Sequence, residues 1–507
     1  MTTSADASGV AFSSGPGRWV LAITVLGSGL AVLDATVVNI ALPAIGRDFH
    51  TGVAALQWVM NGYALALAAL LLIGGSLGDR FGRRKVYLIG IVWFALASAA
   101  CGFATSAVIL IITRVLQGAG AALLTPGSLA ILEASFRPAD RGRAIGAWSG
   151  LSAIAVAAGP PVGGFLVSAA SWRWIFFLNV PLAATVVALG ARHLPESRDP
   201  GVTGAIDYAG ALAGVVFLTG VTFVFIEAPV LGWSSPAVLA MILASLAGLA
   251  AFLVRERRAA APMLPLSMFG ARQFAAANAV TFLLYGALTG AVFLLPVMLQ
   301  VVSGYSPFGA GLALLPLTLI LLGLSARSGR IAARIGPRLP LSVGPVAAGV
   351  GLALLTQATS GSSYLVSVLP AIVVLGLGLA ITTAPLTSTA MDSAPPQHSG
   401  IASAVNNDMS RFGGLLAIAV LPALVGITGT AYLEPGPLAA GFRTAVLISA
   451  GLCIAAGVLA AATIANPPRA PLPAGAAPEE CFHCGLDAPP LITTVSQDSV
   501  RRVTERG

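Results

Sequence analysis

Fourteen stretches of this chain are long and apolar enough to cross a lipid bilayer, and no other feature constrains its fold as strongly. A helix needs about 20 mainly apolar residues to span the hydrocarbon. Such runs lie near 19–42, 53–74, 86–104, 107–131, 144–168, 174–191, 208–229, 235–254, 275–300, 309–327, 339–358, 364–386, 400–427 and 441–464. In lipid every backbone N–H and C=O must be satisfied within the protein, so these runs predict an all-α polytopic bundle. Composition agrees: 57% of the 507 residues are hydrophobic and 9% charged, against about 25% charged in a soluble domain. So few charges cannot cover a soluble protein of this size, which excludes a soluble enzyme, a disordered chain and a disulfide scaffold. The apolar run from Trp19 has no small-residue processing site and is too long for a cleavable signal.

The basic residues predict how the chain threads the bilayer. With the N-terminus in the cytoplasm, 22 of the 27 basic residues fall in cytoplasmic segments. Three (Arg47, Arg173, Arg443) fall in outer loops and two (Arg114, Arg411) within spans. This is the positive-inside bias, and one missed helix would scramble it. The net charge of +8 is therefore topological and implies no nucleic-acid partner. The expectation is a multi-pass protein of the inner (cytoplasmic) membrane, both termini cytoplasmic, with the bilayer as its main partner.

Two loops repeat. GSLGDRFGRRKV from Gly75 and GRIAARIGPRLP from Gly329 align Gly75 with Gly329, Arg80 with Arg334, Gly82 with Gly336 and Arg84 with Arg338. An even number of spans separates them, as in a parallel repeat about an axis along the membrane normal. Spans 4 and 12 share glycine spacing more weakly. The parse is a tail at 1–18, a six-helix bundle at 19–191, a linker at 192–274 carrying helices 7 and 8, a second six-helix bundle at 275–464 and a tail at 465–507. Two such bundles predict a cleft between them and alternating access. Cys101 and Cys453 read as small packing residues. Cys481 and Cys484 with His483 offer at most three zinc ligands where a structural site takes four, so neither metal nor cofactor is expected.

Charges inside spans mark candidate machinery. Asp34 lies near the middle of span 1, where an acid costs about 2.5–3.5 kcal/mol on insertion scales. Either its carboxylate gains and loses a proton during transport, or it is a structural group held by a hydroxyl such as that of Thr36. Arg114 in span 4 is the obvious counter-charge, unless it packs against outer-loop carbonyls; Gln117, three residues on, could line the same cavity. Asp408 and Arg411 share one face of span 13 and either neutralise each other or form a second charged site. Glu133 and Glu227 lie near span ends and read as interfacial.

The loop holding Gly75, Asp79, Arg80, Gly82 and Arg83 reads as a structural gate: its glycines permit tight approach, and an acid–arginine pair can hold one bundle conformation until broken. The second copy has Ala333 in place of Asp79, so the two gates are not equivalent. Span 5 carries Gly159, Pro160, Pro161, Gly163 and Gly164, suited to close packing and a kink. Trp58, Asn61 and Tyr63 on span 2, and Phe282, Tyr285 and Gln300 on span 9, are candidate substrate contacts that would suit a flat or cationic apolar ligand.

Across residues 19–464, LDATVVNIALP (33–43), GSLGDRFGRRK (75–85), RVLQGAGAA (114–122), GPPVGG (159–164) and WRWIFFLNVP (172–181) together resemble the major facilitator superfamily, specifically its fourteen-spanner drug:proton antiporters. The resemblance implies that Asp34 and Arg114 serve proton coupling and that the GPPVGG pattern marks an antiporter. Asp408 departs from it, since related sequences usually carry a small polar residue there. The implied function is proton-driven efflux of drugs, antibiotics or other amphipathic small molecules by a monomer. The rival is a proton-coupled symporter for a small organic nutrient. No phosphate loop points to ATP. An embedded enzyme would need a clustered catalytic set, whereas His50, His193, His398 and His483 are scattered.

Overall fold

The computed structural model describes residues 9–198, 207–259, 264, 266–394 and 399–466. His398 and the group of Cys481, His483 and Cys484 lie outside the described residues.

Helix α1 (Gly15–Phe49) starts where the Ser14 hydroxyl accepts the Gly17 N–H and Pro16 occupies the first turn, a combination that satisfies and pre-sets a helix start. Then come α2 (Val53–Phe81), α3 (Arg83–Gly102), α4 (Ala107–Ser135) and α5 (Pro138–Ala169). The sixth expected span is α6 (Trp174–Phe177) running into α7 (Asn179–His193). Helices α8 (Tyr208–Leu231) and α9 (Pro236–Arg258) pack on each other, and α10 (Arg272–Val301) follows. The tenth span is divided into α11 (Pro307–Ala313) and α12 (Leu315–Ile335). After α13 (Arg338–Leu354), a π-turn at Tyr364–Val368 leads into α14 (Leu369–Asp392), and α15 (Ser399–Leu424) and α16 (Pro435–Thr463) complete the set. Thirteen spans among the described residues are long and apolar enough to cross a membrane. The helix in the thirteenth expected place, α15, is not among them, because Asn406, Asn407, Asp408 and Arg411 interrupt its apolar run.

Small residues set the packing, as expected where helices associate in lipid. A Cβ at Gly159 would overlap Thr36 Oγ1, and one at Gly163 would lie 2.9 Å from Val37 Cβ, so α5 lies directly on α1. The second bundle repeats this: a Cβ at Gly413 of α15 would sit 2.5 Å from the Phe282 carbonyl of α10. The linker helix α8 touches both bundles, with Phe223 beside Trp58 of α2 (6.3 Å) and Phe217 beside Phe412 of α15 (5.9 Å).

The repeated loops share one geometry. Gly82 (φ +111°) and Gly336 (φ +90°) each adopt a conformation that L side chains rarely enter. Glu196 Oε1 accepts the Arg84 N–H at 3.1 Å, and Asn466 Oδ1 accepts the Arg338 N–H at 3.0 Å. Each acceptor follows the last helix of its own bundle. Most basic residues gather at the end of the molecule carrying these turns, hereafter the basic end. There residues 9–12 fold back on the start of α5: Val10 pairs with the backbone of Ser135 and Arg137, and Phe12 N–H donates to Asp140 at 3.0 Å.

The two bundles are joined at the other end. Gln57 Nε2 of α2 donates to the Ile418 and Ala419 carbonyls of α15 at 2.6 and 3.0 Å, and Asn61 donates to the Leu415 carbonyl at 3.2 Å. Gln300 donates to the Ile40 carbonyl at 2.9 Å, Val53 N–H to the Gly429 carbonyl at 2.8 Å, and Tyr432 OH to the Thr51 carbonyl at 2.8 Å. A Cβ at Gly311 would overlap the Pro160 carbonyl, and one at Gly164 the Pro307 carbonyl. Toward the basic end, Gly142, Gly146 and Gly150 of α5 and Gly323 of α12 have open space beside them. Among the described residues the hydrogen bonds that join the bundles thus gather at the end carrying Thr51, whereas these glycines toward the basic end meet no neighbour.

Candidate functional site

Asp34 projects from the middle of α1 into the interior of the first bundle and is fully buried. Arg114 Nη1 donates to its Oδ2 at 2.5 Å, while Gln117 Nε2 and Asn179 Nδ2 donate to its Oδ1 at 2.8 and 2.9 Å. Three helices therefore converge on one carboxylate: α1 supplies the acid, α4 supplies Arg114 and Gln117 one turn apart, and the first turn of α7 supplies Asn179. Arg114 is equally enclosed. Its Nε donates to the Val59 carbonyl at 3.1 Å, its Nη1 also meets Gln117 Oε1 at 2.7 Å, and its guanidinium lies 4.2 Å from the Tyr63 ring centroid. Asn179 also donates to Ser98 Oγ at 3.0 Å, and Ser98 in turn donates to the Phe176 carbonyl at 2.9 Å. Thr36 is not Asp34's partner; its hydroxyl donates to the Leu33 carbonyl at 2.9 Å.

A charge pair taken out of water recovers its desolvation cost only when geometry is good and the remaining polar atoms are satisfied. This one meets most of that requirement, though Arg114 Nη2 and Asn179 Oδ1 are buried without a hydrogen-bond partner. Three N–H groups point at the Asp34 carboxylate, from Arg114, Gln117 and Asn179.

The other expected site residues divide by location. Gln117 and Tyr63 belong to the charge cluster, Tyr63 under the guanidinium and with its OH donating to the Ala31 carbonyl at 3.3 Å. Asn61 and Gln300 face the opposite bundle and make cross-bundle bonds. Trp58 is turned to the linker, its Nε1 donating to Glu227 Oε1 at 2.7 Å. Phe282 packs against Phe412 at 5.6 Å, and Tyr285 lies half-buried one turn along α10.

In the gate loop, Arg83 Nε pairs with Asp79 Oδ1 at 2.8 Å, Arg83 N–H donates to the Ser197 carbonyl at 2.9 Å, and Arg84 also reaches the Ala191 carbonyl. These bonds lie within the first bundle and the segment that follows it. Gly75 rests on Pro126 of α4, and Arg80 lies in the last turn of α2. Gly159, Pro160, Gly163 and Gly164 form the α5 surface that meets α1 and α11. Asp408 and Arg411 feel each other's charge but form no close ion pair or hydrogen bond, with each other or with another residue, among the described residues.

Asn179, Ser98 and Gln57 were not singled out in the sequence. Asn179 lies inside the WRWIFFLNVP motif, and an amide in an apolar span is the signal that could have found it.

A model of the Major Facilitator Superfamily matches residues 24–419. The chain belongs to this family. It is thereby an integral membrane transporter of small molecules. It is 36% identical over 414 residues to the tetracenomycin C resistance and export protein of Streptomyces glaucescens, covering 81% of this chain and 76% of that one. It is also 36% identical over 462 residues to puromycin resistance protein pur8 of Streptomyces alboniger, covering 88% and 91%. Among solved structures, the nucleoside transporter NupG shares the fold with a TM-score of 0.61 at 13% identity, over 88% of this chain and 100% of that one.

Proposed function

We propose that this chain is a fourteen-spanner drug:proton antiporter that exports antibiotics or other amphipathic small molecules across the cytoplasmic membrane, with its basic end and both termini in the cytoplasm and a monomer as the working unit. The observation that carries the reading is the enclosed Asp34–Arg114 pair, a charged cluster confined to one bundle of a two-bundle transporter. The relatives named for resistance and export support the direction of transport.

On this reading the present conformation faces the cytoplasm with Asp34 ionised. Cargo enters from the basic end, the bundles rock, and Asp34 meets the outer side. There a proton neutralises it and loosens Arg114, favouring release of cargo outward and return of the carrier. One proton descending 100 mV supplies about 2.3 kcal/mol, enough for a concentration ratio of somewhat under a hundredfold. Gln117 and Asn179 position the carboxylate, while Gln57, Asn61, Gln300 and the GPPVGG surface close the outer side.

The test is a toxicity panel in a pump-deficient bacterial host, comparing wild type with Asp34→Asn at matched membrane expression. Resistance to several amphipathic drugs in wild type and its loss in the variant is expected. Equal resistance from both would remove Asp34 from the mechanism.

A further inference from the structure

The charged residues of α15 have no part in the cycle above. Leu415 and Ile418, whose carbonyls are taken by Asn61 and Gln57, define the side of α15 turned toward α2. Asp408 and Arg411 precede Leu415 by seven and four residues, so all four lie on one stripe of a helix with 3.6 residues per turn. At Leu415 and Ile418 the stripe is clamped. One and two turns nearer the basic end no hydrogen bond joins α15 to α2 among the described residues, and the facing part of α2, residues 68–71, is half-buried rather than sealed. Asp408 and Arg411 are themselves half-buried and unpaired. Beside them Phe412 meets Phe282 and Phe217, giving the stripe an aromatic flank. Asp34, by contrast, has both oxygens occupied and no exposure. Asp408 and Arg411 are therefore more accessible from the basic end than Asp34, which is sealed.

An unpaired acid and an unpaired base one turn apart make a site of zero net charge and strong local polarity. A permanent cation there is attracted by one group and repelled by the other, whereas a zwitterion gains from both. Resting on the efflux reading above, we propose that Asp408 and Arg411 are the charge-selecting residues of the cargo site, which prefers amphiphiles bearing a cationic and an anionic group together. Removing either charge converts the selection: Asp408→Asn leaves a site for anions, and Arg411→Gln a site for cations.

The experiment measures energised efflux of norfloxacin (a zwitterion), ethidium (a cation) and nalidixate (an anion) in the pump-deficient host, at matched membrane expression. Wild type is expected to favour norfloxacin. Asp408→Asn should shift the nalidixate-to-ethidium ratio upward by about tenfold and Arg411→Gln should shift it downward by a similar factor, from one unit charge felt across a partly hydrated site. Both should weaken norfloxacin efflux, and the exchange Asp408→Arg with Arg411→Asp should restore part of it. Loss of all three probes by one common factor in both variants, or an unchanged ratio, would overturn the proposal while leaving efflux intact. A wild type that expels none of the three overturns the efflux reading itself.

Discussion

Gln57 is the clearest place to perturb the conformational balance. It is 3% exposed, and its amide donates across the bundle interface to the Ile418 and Ala419 carbonyls. Residue 422 is a proline inside α15, so the Ile418 carbonyl lacks the i+4 N–H that an ordinary helix would supply. Gln57 fills that vacancy from the other bundle. In Gln57→Leu the volume is nearly kept but the Ile418 carbonyl is left buried and unpaired, at a cost of about 1–3 kcal/mol. When the same end opens, water reaches both groups and the penalty disappears. The substitution therefore destabilises only the conformation closed at that end and moves the equilibrium by roughly 5- to 150-fold toward the opposite one.

Paired spin labels at Thr51 and Gly429, in a background without native cysteines, read the separation across that end. Wild type should give one short distance, and Gln57→Leu a substantial long-distance population. Pro422→Ala restores an N–H within α15, so Gln57→Leu should have less effect in that background. An unchanged distance distribution in a well-folded Gln57→Leu protein would refute the idea that this bond holds the closure.

Other perturbations follow from the same contacts. Gly159→Ala places a methyl where Thr36 Oγ1 already sits; transport should fall at least tenfold, with partial recovery in the double variant with Thr36→Ala, measured as drug efflux at matched expression. Gly82→Ala should lower the unfolding temperature in detergent, because holding a side chain at φ +111° costs about 1–3 kcal/mol; Glu196→Ala should not rescue it, since the backbone remains strained. At the basic end the Gly210 N–H, and then Arg255, hold Asp207 below its usual carboxylate value. That stabilisation of the α8–α9 pair is present above the ordinary Asp range and is lost as pH falls through the depressed value. Asp207→Asn should therefore remove the part of the detergent-stability loss seen below about pH 4; an identical acid profile would contradict it.

Much of the helical framework could be read from the sequence because lipid demands long apolar runs, and breaks in those runs are conspicuous. Asp34 and Arg114 were visible for the same reason, since a charge within a span is rare enough to mark itself. Asn179 and Gln57 carry no charge, and only the tertiary arrangement shows that one completes the Asp34 shell and the other caps a proline-interrupted carbonyl. Helical spacing also brought Asp408 and Arg411 within reach of each other, but spacing alone cannot say whether a close ion pair forms, and none does here. Trp58 shows the same limit: the expected cargo contact has its indole N–H committed to Glu227 of the linker. The repeat was legible in Gly82 and Gly336, but not in their matching acceptors, Glu196 and Asn466, because those come from segments distant in sequence.

Proton-driven antiport through Asp34 is tested most directly with purified protein in liposomes carrying an imposed pH gradient. Liposomes acidic inside should accumulate a drug cargo as protons leave, and should stop when nigericin collapses the gradient. Asp34→Asn should lose the gradient-driven accumulation while retaining exchange of labelled for unlabelled cargo. Accumulation only in liposomes alkaline inside, or full gradient-driven accumulation by Asp34→Asn, would contradict it.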